Sequence, residues 1–175
     1  GYTEERDPSK GSDKYNEQLR LIKTKKPDIL ALQEAVFKDD AHTKDDFIKA
    51  LNDQDKYNIF ENRYMDGYLT SVLAIKNKYD AIQTQEYNDP LLNSAVYVNV
   101  KVNNTNVMFV GLHLNENYNK MGKEQLEIVL GKVKDIPNVL IMGDFNQELK
   151  KIKLFDSKWK CLPGSNFTGV KREKN

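Results

Sequence analysis

The chain has 175 residues, 39% of them hydrophobic, with seven Phe, nine Tyr and one Trp, the size and apolar content of a single domain with its own core. A formal net charge of +1 is too small to imply a polyanionic partner, and one Cys with two His excludes an internal disulfide, a thiolate zinc cage and a zinc site of several imidazoles. No apolar run approaches the ~18 residues of a membrane span, so a soluble protein is expected, an intracellular setting being favoured, while a start at Gly1 in place of Met leaves room for a leader already removed.

In chain order, Tyr15, Leu19 and Ile22 recur at helical spacing within "DKYNEQLRLIKTKK", with lysines in the last turn, and Pro27 stops that helix. Asp28 to Gln33 then reads as a short apolar strand that delivers Glu34 at its end. Thr43 with Asp46 resembles a capping box and opens a helix that buries Phe47 and Leu51. Strands are predicted at "YNIFEN", "SVLAIKN" and "AIQTQEY". "AVYVNVKV" alternates, "NNTN" is turn chemistry and "NVMFVGLHL" returns, which predicts a hairpin over residues 95–114 with one buried face. From Lys123, the positions Leu126, Val129, Leu130 and Val133 give another helix stripe, Pro137 closes it and "NVLIM" is the next strand. This order predicts a mixed α/β fold of the α+β type: a layered β-sandwich of mixed sheets flanked by helices, rather than a doubly wound sheet.

The charge is uneven. Residues 150–175 carry eight Lys or Arg against Asp156 and Glu173, a net +6, while the first 149 residues carry 19 basic against 24 acidic side chains, a net −5. A solvated Lys-rich face is the common explanation of such a tail, and attraction for phosphate is the more specific one. With so few His and Cys, any bound metal has to be held by carboxylates, which points to a hard cation such as Mg²⁺, Mn²⁺ or Ca²⁺. Cys161 reads as a small buried hydrophobe and His42 as an incidental loop residue.

Three predicted strands end in polar residues: Glu34 after "ILALQ", His113 after "MFVGL", and Asp144 with Asn146 after "VLIMG". Side chains leaving a sheet at its rim are held firmly and stay accessible. Each alone is more often an ordinary strand-end or capping residue, as a buried structural histidine is the bland account of His113.

Taken together, "KPDILALQE", "VGLHL" followed by a helix containing Gln125, and "VLIMGDFN" resemble the successive motifs of the endonuclease/exonuclease/phosphatase superfamily, the deoxyribonuclease I-like phosphoesterases. "PGSNFTGV", Pro163 to Val170, is similar to the loop ahead of that family's last core strands, so the resemblance runs from about Tyr15 to Val170. It implies a deoxyribonuclease I-like sandwich and metal-dependent hydrolysis of phosphate esters. By the same resemblance Glu34 matches the metal-binding glutamate, for Mg²⁺ or Mn²⁺, and Asp144 the acid that orients or deprotonates the attacking water. Asn146, on the same side as Asp144 if the backbone stays extended, would donate its amide to a phosphoryl oxygen. His113 matches the histidine that contacts the scissile phosphate, and Asn115 is placed in the same cleft as a substrate contact.

The match lacks the family's opening strand with its Asn and its closing Asp and Ser-Asp-His segments, and Asn93 and Ser94 stand where an Arg is usual. Residues 1–175 are therefore expected to be a single but incomplete domain of this type, with apolar sheet edges open to strand complementation by another chain. Nucleic acid, favoured by the basic tail, is the first expectation for substrate. A phosphatase or a sphingomyelinase-like phosphodiesterase stays open as an alternative, and so does a non-catalytic or split binding module.

Overall fold

The structure, a computed structural model, describes residues 8–33, 44–53, 56–62, 71–83, 95–147, 152 and 159. Glu34, His42, Thr43, Asn93, Ser94, Cys161 and the segment 163–170 lie outside the described residues.

Helix α1 spans Pro8–Lys25. Lys26 ends it at φ 46°, its N–H still bonded to the Ile22 carbonyl at 2.7 Å, and Pro27 prevents a further turn. Strand β1 is Ile29–Leu32 and helix α2 is Lys44–Asn52. Strands β2 (Tyr57–Asn62), β3 (Ser71–Lys76) and β4 (Asp80–Gln83) come next. Strands β5 (Ala95–Val102) and β6 (Thr105–His113) form the expected hairpin. Its two turn residues, Asn103 and Asn104, both take positive φ, the backbone that suits a tight right-twisted hairpin and that Asn tolerates. A π-helical turn, Tyr118–Gly122, leads into helix α3, Lys123–Val133, and strand β7 is Val139–Asp144.

Two sheets result. One is antiparallel, in the order β1-β3-β2, and the other runs β4-β5-β6-β7, antiparallel except for the parallel pair β6 and β7. Alternation along each strand sends side chains to two different cores. Leu73, Ile75, Val96, Val98, Val100 and Phe109 fill the space between the sheets. Leu19, Ile22, Phe47 and Leu51 cover the outer face of the first sheet, and Leu126, Val129 and Val133 cover that of the second. The layers are helix, sheet, sheet, helix, and the flanked sandwich predicted from the sequence is observed.

One expectation needs correction. The hairpin of β5 and β6 does not have a single buried face: Ala95 and Tyr97 pack on the α3 side while Val96, Val98 and Val100 pack between the sheets. The apparent alternation came from Asn99 and Lys101, which lie toward the end of β5, where Lys101 reaches solvent.

The strand directions decide which strand ends share a side of the molecule. Tyr79 Oη donates to Asp28 Oδ2 at 2.8 Å, joining the residue before β4 to the residue before β1. Asp80 pairs with Lys101, and Val102 pairs with Thr105, the first residue of β6. The starts of β1 and β6 thus share one end of the sandwich. Both strands, and β7 parallel to β6, run toward the other end.

Candidate functional site

At that other end the outlets of β1, β6 and β7 come together at a level that can be counted. Ala31 of β1 pairs with Leu73, a Cβ added at Gly111 would lie 3.0 Å from Leu73 Cγ, and Gly111 pairs with Met142. The missing side chain at Gly111 lets the sheets approach at this level. Two residues further along each strand are Gln33, His113 and Asp144. Since Ala31 and Phe109 belong to the layer between the sheets, the period of two turns His113 to that same side, while Asp144 follows Gly143, where the alternation of β7 is interrupted. His113 and Asp144 are in-register partners at the ends of the parallel pair.

The turn after β7 is built from its own sequence. Gly143 has φ 138°, and a Cβ there would stand 1.9 Å from the Leu112 carbonyl oxygen, so only glycine fits. Asp144 Oδ1 accepts the Asn146 backbone N–H at 2.8 Å, an Asx turn. Phe145 packs into the core under α3 and anchors the turn between the two polar residues. The backbone does not stay extended: Asn146 has φ 47°, and one N–H of its side-chain amide donates to the Leu114 carbonyl at 2.7 Å. The Leu114 N–H in turn donates to the Asp144 carbonyl at 2.9 Å, so Leu114, just past β6, holds both ends of the Asp144 turn. The bond to the Leu114 carbonyl uses one of the two N–H donors of the Asn146 side-chain amide.

The loop after His113 is fixed in a similar way. Asn115 N–H donates to Gln125 Oε1 at 2.8 Å and Asn115 Oδ1 accepts Asn117 N–H at 2.9 Å. Gln125 therefore ties the first turn of α3 to the outlet of β6, a role that its place in the sequence motif did not reveal. Asn115 is half-buried, with its side-chain oxygen committed to the loop.

In the sequence Gln33 reads as the last residue of an apolar strand. In the structure it lies just past β1, and its Nε2 is buried with no hydrogen-bond partner. A buried N–H without an acceptor costs about 1–3 kcal/mol, so its polarity in an otherwise aliphatic run was a signal available beforehand.

Among the described residues no group of three His, Cys, Asp or Glu side chains gathers as a metal site. The described carboxylate at the outlets, that of Asp144, is an exposed hard oxygen donor. That chemistry suits a cation which keeps most of its water shell and takes few protein ligands. Glu34, the carboxylate nominated for the metal, directly follows Gln33 in the chain but is outside the described residues. No helix among the described residues is long and apolar enough to cross a membrane.

Known proteins share this architecture. The profile described as Endonuclease/Exonuclease/phosphatase family matches residues 4–157. No curated protein sequence matches the chain. Among solved structures, truncated TDP2 from Caenorhabditis elegans is 19% identical with TM-score 0.58, covering 85% of this chain and 58% of its own. TDP2 from D. rerio, complexed with a single-strand DNA product, is 19% identical with TM-score 0.54 over 78% of this chain and 55% of its own. The endonuclease/exonuclease/phosphatase from Bacteroides vulgatus is 17% identical with TM-score 0.58 over 76% and 57%. The chain thus spans little more than half the length of these structures, and what it shares with them is the deoxyribonuclease I-like fold expected from the sequence.

Proposed function

The chain belongs to the endonuclease/exonuclease/phosphatase family, and from that premise we propose that it hydrolyses phosphate esters with a divalent cation, acting as a phosphodiesterase on nucleic acid. The observation that carries the reading is the in-register pairing of His113 with Asp144 at the outlet of a parallel strand pair, at the end of the sandwich where β1 also ends. A histidine and a carboxylate held by a sheet ladder are placed by main-chain geometry and need little reorganisation when substrate arrives.

In this reading each residue has a task. Glu34 would hold Mg²⁺ or Mn²⁺, which when bound neutralises phosphate charge and orients the ester. Asp144 orients the attacking water and takes its proton, with Oδ1 steadied by the Asn146 N–H. Asn146 gives its second amide N–H to a phosphoryl oxygen, the first being anchored on Leu114. His113 contacts the scissile phosphate from the neighbouring strand, and Asn115 borders the substrate. Nucleic acid as substrate is supported by the D. rerio TDP2 structure with its single-strand DNA product and by the net +6 of residues 150–175, since phosphate attraction dominates such binding.

The test is turnover of a single-stranded oligonucleotide, bis(p-nitrophenyl) phosphate and p-nitrophenyl phosphate by this chain and by Asp144→Asn, with Mg²⁺, Mn²⁺ or EDTA. Metal-dependent cleavage of the two diesters, reduced on the order of 10²–10⁴-fold in the variant, is expected for loss of a general base. Cleavage of the monoester alone would replace the nuclease by a phosphatase. Metal-dependent binding of the oligonucleotide without turnover would make the chain a binding module.

A further inference from the structure

We propose that the side-chain amide of Gln33 is a donor held for a non-bridging oxygen of the bound phosphoryl group, making Gln33 a substrate-contacting residue. The inference rests on the phosphoester reading of the site and deepens it.

Its basis is a buried donor with nothing to donate to. Gln33 Nε2 is buried and has no hydrogen-bond partner, although buried polar atoms almost always find one. The strand that presents it alternates cleanly: Leu30 and Leu32 pack toward the helices while Ile29 and Ala31 pack between the sheets. Carried one step further, that period puts Gln33 on the side between the sheets. It stands two residues beyond Ala31, as His113 stands two beyond Gly111 and Asp144 two beyond Met142, and those three earlier positions are joined through Leu73. Strand direction, fixed at the far end by the Tyr79 to Asp28 bond, brings Gln33 out at the same end as the other two.

The residue type fits the task. A primary amide offers two N–H donors, and the non-bridging oxygens of a phosphate ester accept without donating. A lysine here would compete with the cation for the phosphate, and a carboxylate would repel it. A neutral donor does neither, and it carries its hydrogen bonds unmade until an anionic oxygen arrives. Leu or Met would fill the same space if packing were all that was required of the position.

The experiment uses the full chain with inorganic phosphate as the probe, reading the rise in melting temperature with phosphate concentration, in Mg²⁺ and in EDTA. It compares the wild type with Gln33→Leu, Gln33→Glu and Asp144→Asn. Phosphate is expected to stabilise the wild type and Asp144→Asn, and its apparent affinity to fall on the order of 10- to 100-fold in Gln33→Leu and further in Gln33→Glu. Without phosphate, Gln33→Leu should melt no lower than the wild type, because it removes donors that have no partner. A lower melting temperature with the phosphate response intact overturns the proposal and makes the amide part of the internal structure. Absence of any phosphate response in the wild type overturns it as well. The two readings separate cleanly: a Gln33-dependent phosphate response without turnover keeps this inference and removes catalysis, and turnover with an unchanged KM in Gln33→Leu does the reverse.

Discussion

Asp144 carries two duties that substitution can pull apart. Its Oδ1 accepts the Asn146 N–H, and asparagine can do the same while lacking the charge. Asp144→Asn should therefore unfold in urea within about 0.5 kcal/mol of the wild type while losing turnover, whereas Asp144→Ala loses the turn bond too and should cost about 1 kcal/mol more. Gly143 has a purely steric duty. With φ 138° and the Leu112 carbonyl 1.9 Å from any Cβ, Gly143→Ala must either open the ladder between β6 and β7 or distort the turn. A loss of about 3 kcal/mol or more is expected, in the range set by strained backbone and broken pairing, and a urea midpoint unchanged from the wild type would show that the turn is made differently. The sequence nominated His113, Asp144 and Asn146 by their places after apolar strands together with the family resemblance, and the first two end as in-register partners of β6 and β7. It did not disclose the bent backbone at Asn146, whose left-handed φ depends on a carbonyl contributed by Leu114, 32 positions away in the chain.

The unit that brings these residues together is β6, α3 and β7, in which a helix carries the chain from one strand to its parallel neighbour. Such a crossover needs the helix to cover the strands it joins. Leu126 and Val129 do so, both fully buried. Leu126→Ala should cost about 2–5 kcal/mol by calorimetry or urea titration, and hydrolysis should fall only through the unfolded fraction if the remaining molecules keep their outlet geometry. At this scale the sequence was generous: period and punctuation gave α3, the hairpin with its Asn103 and Asn104 turn, and the strand after Pro137. The π-helical turn at Tyr118–Gly122 was not legible, since it arises where the Asn117 carbonyl takes the N–H groups of Lys120, Met121 and Gly122 together. Nor was the pairing of β1 with β3, because strand partners distant in sequence leave no local pattern.

Across the whole molecule the two sheets meet on a shared apolar layer and are clasped at one end by Asp28. Lys78, Tyr79 and Lys76 surround its carboxylate and hold its pKa at about 2, below the ordinary 3.8. The unfolded chain therefore takes up this proton at higher pH than the folded one, so the clasp's contribution is complete above about pH 4 and fades as pH falls toward 2. Melting temperatures measured from pH 7 to pH 2 should show Asp28→Asn less stable than the wild type at neutral pH and converging with it at the acid limit; parallel curves would mean that the cluster adds nothing. Because the clasp lies where β1 and β6 begin and the groups proposed to react lie where they end, the molecule separates what folding requires from what a lineage can revise. Insertions at the outlets would reshape the ground around His113 and Asp144, and with it the choice of ester, without disturbing the joint between the sheets. A single residue added between Lys76 and Tyr79 would strike that joint itself. A library of inserted loops, sorted first for soluble expression and then for altered cleavage, should recover its survivors almost entirely from the outlet end.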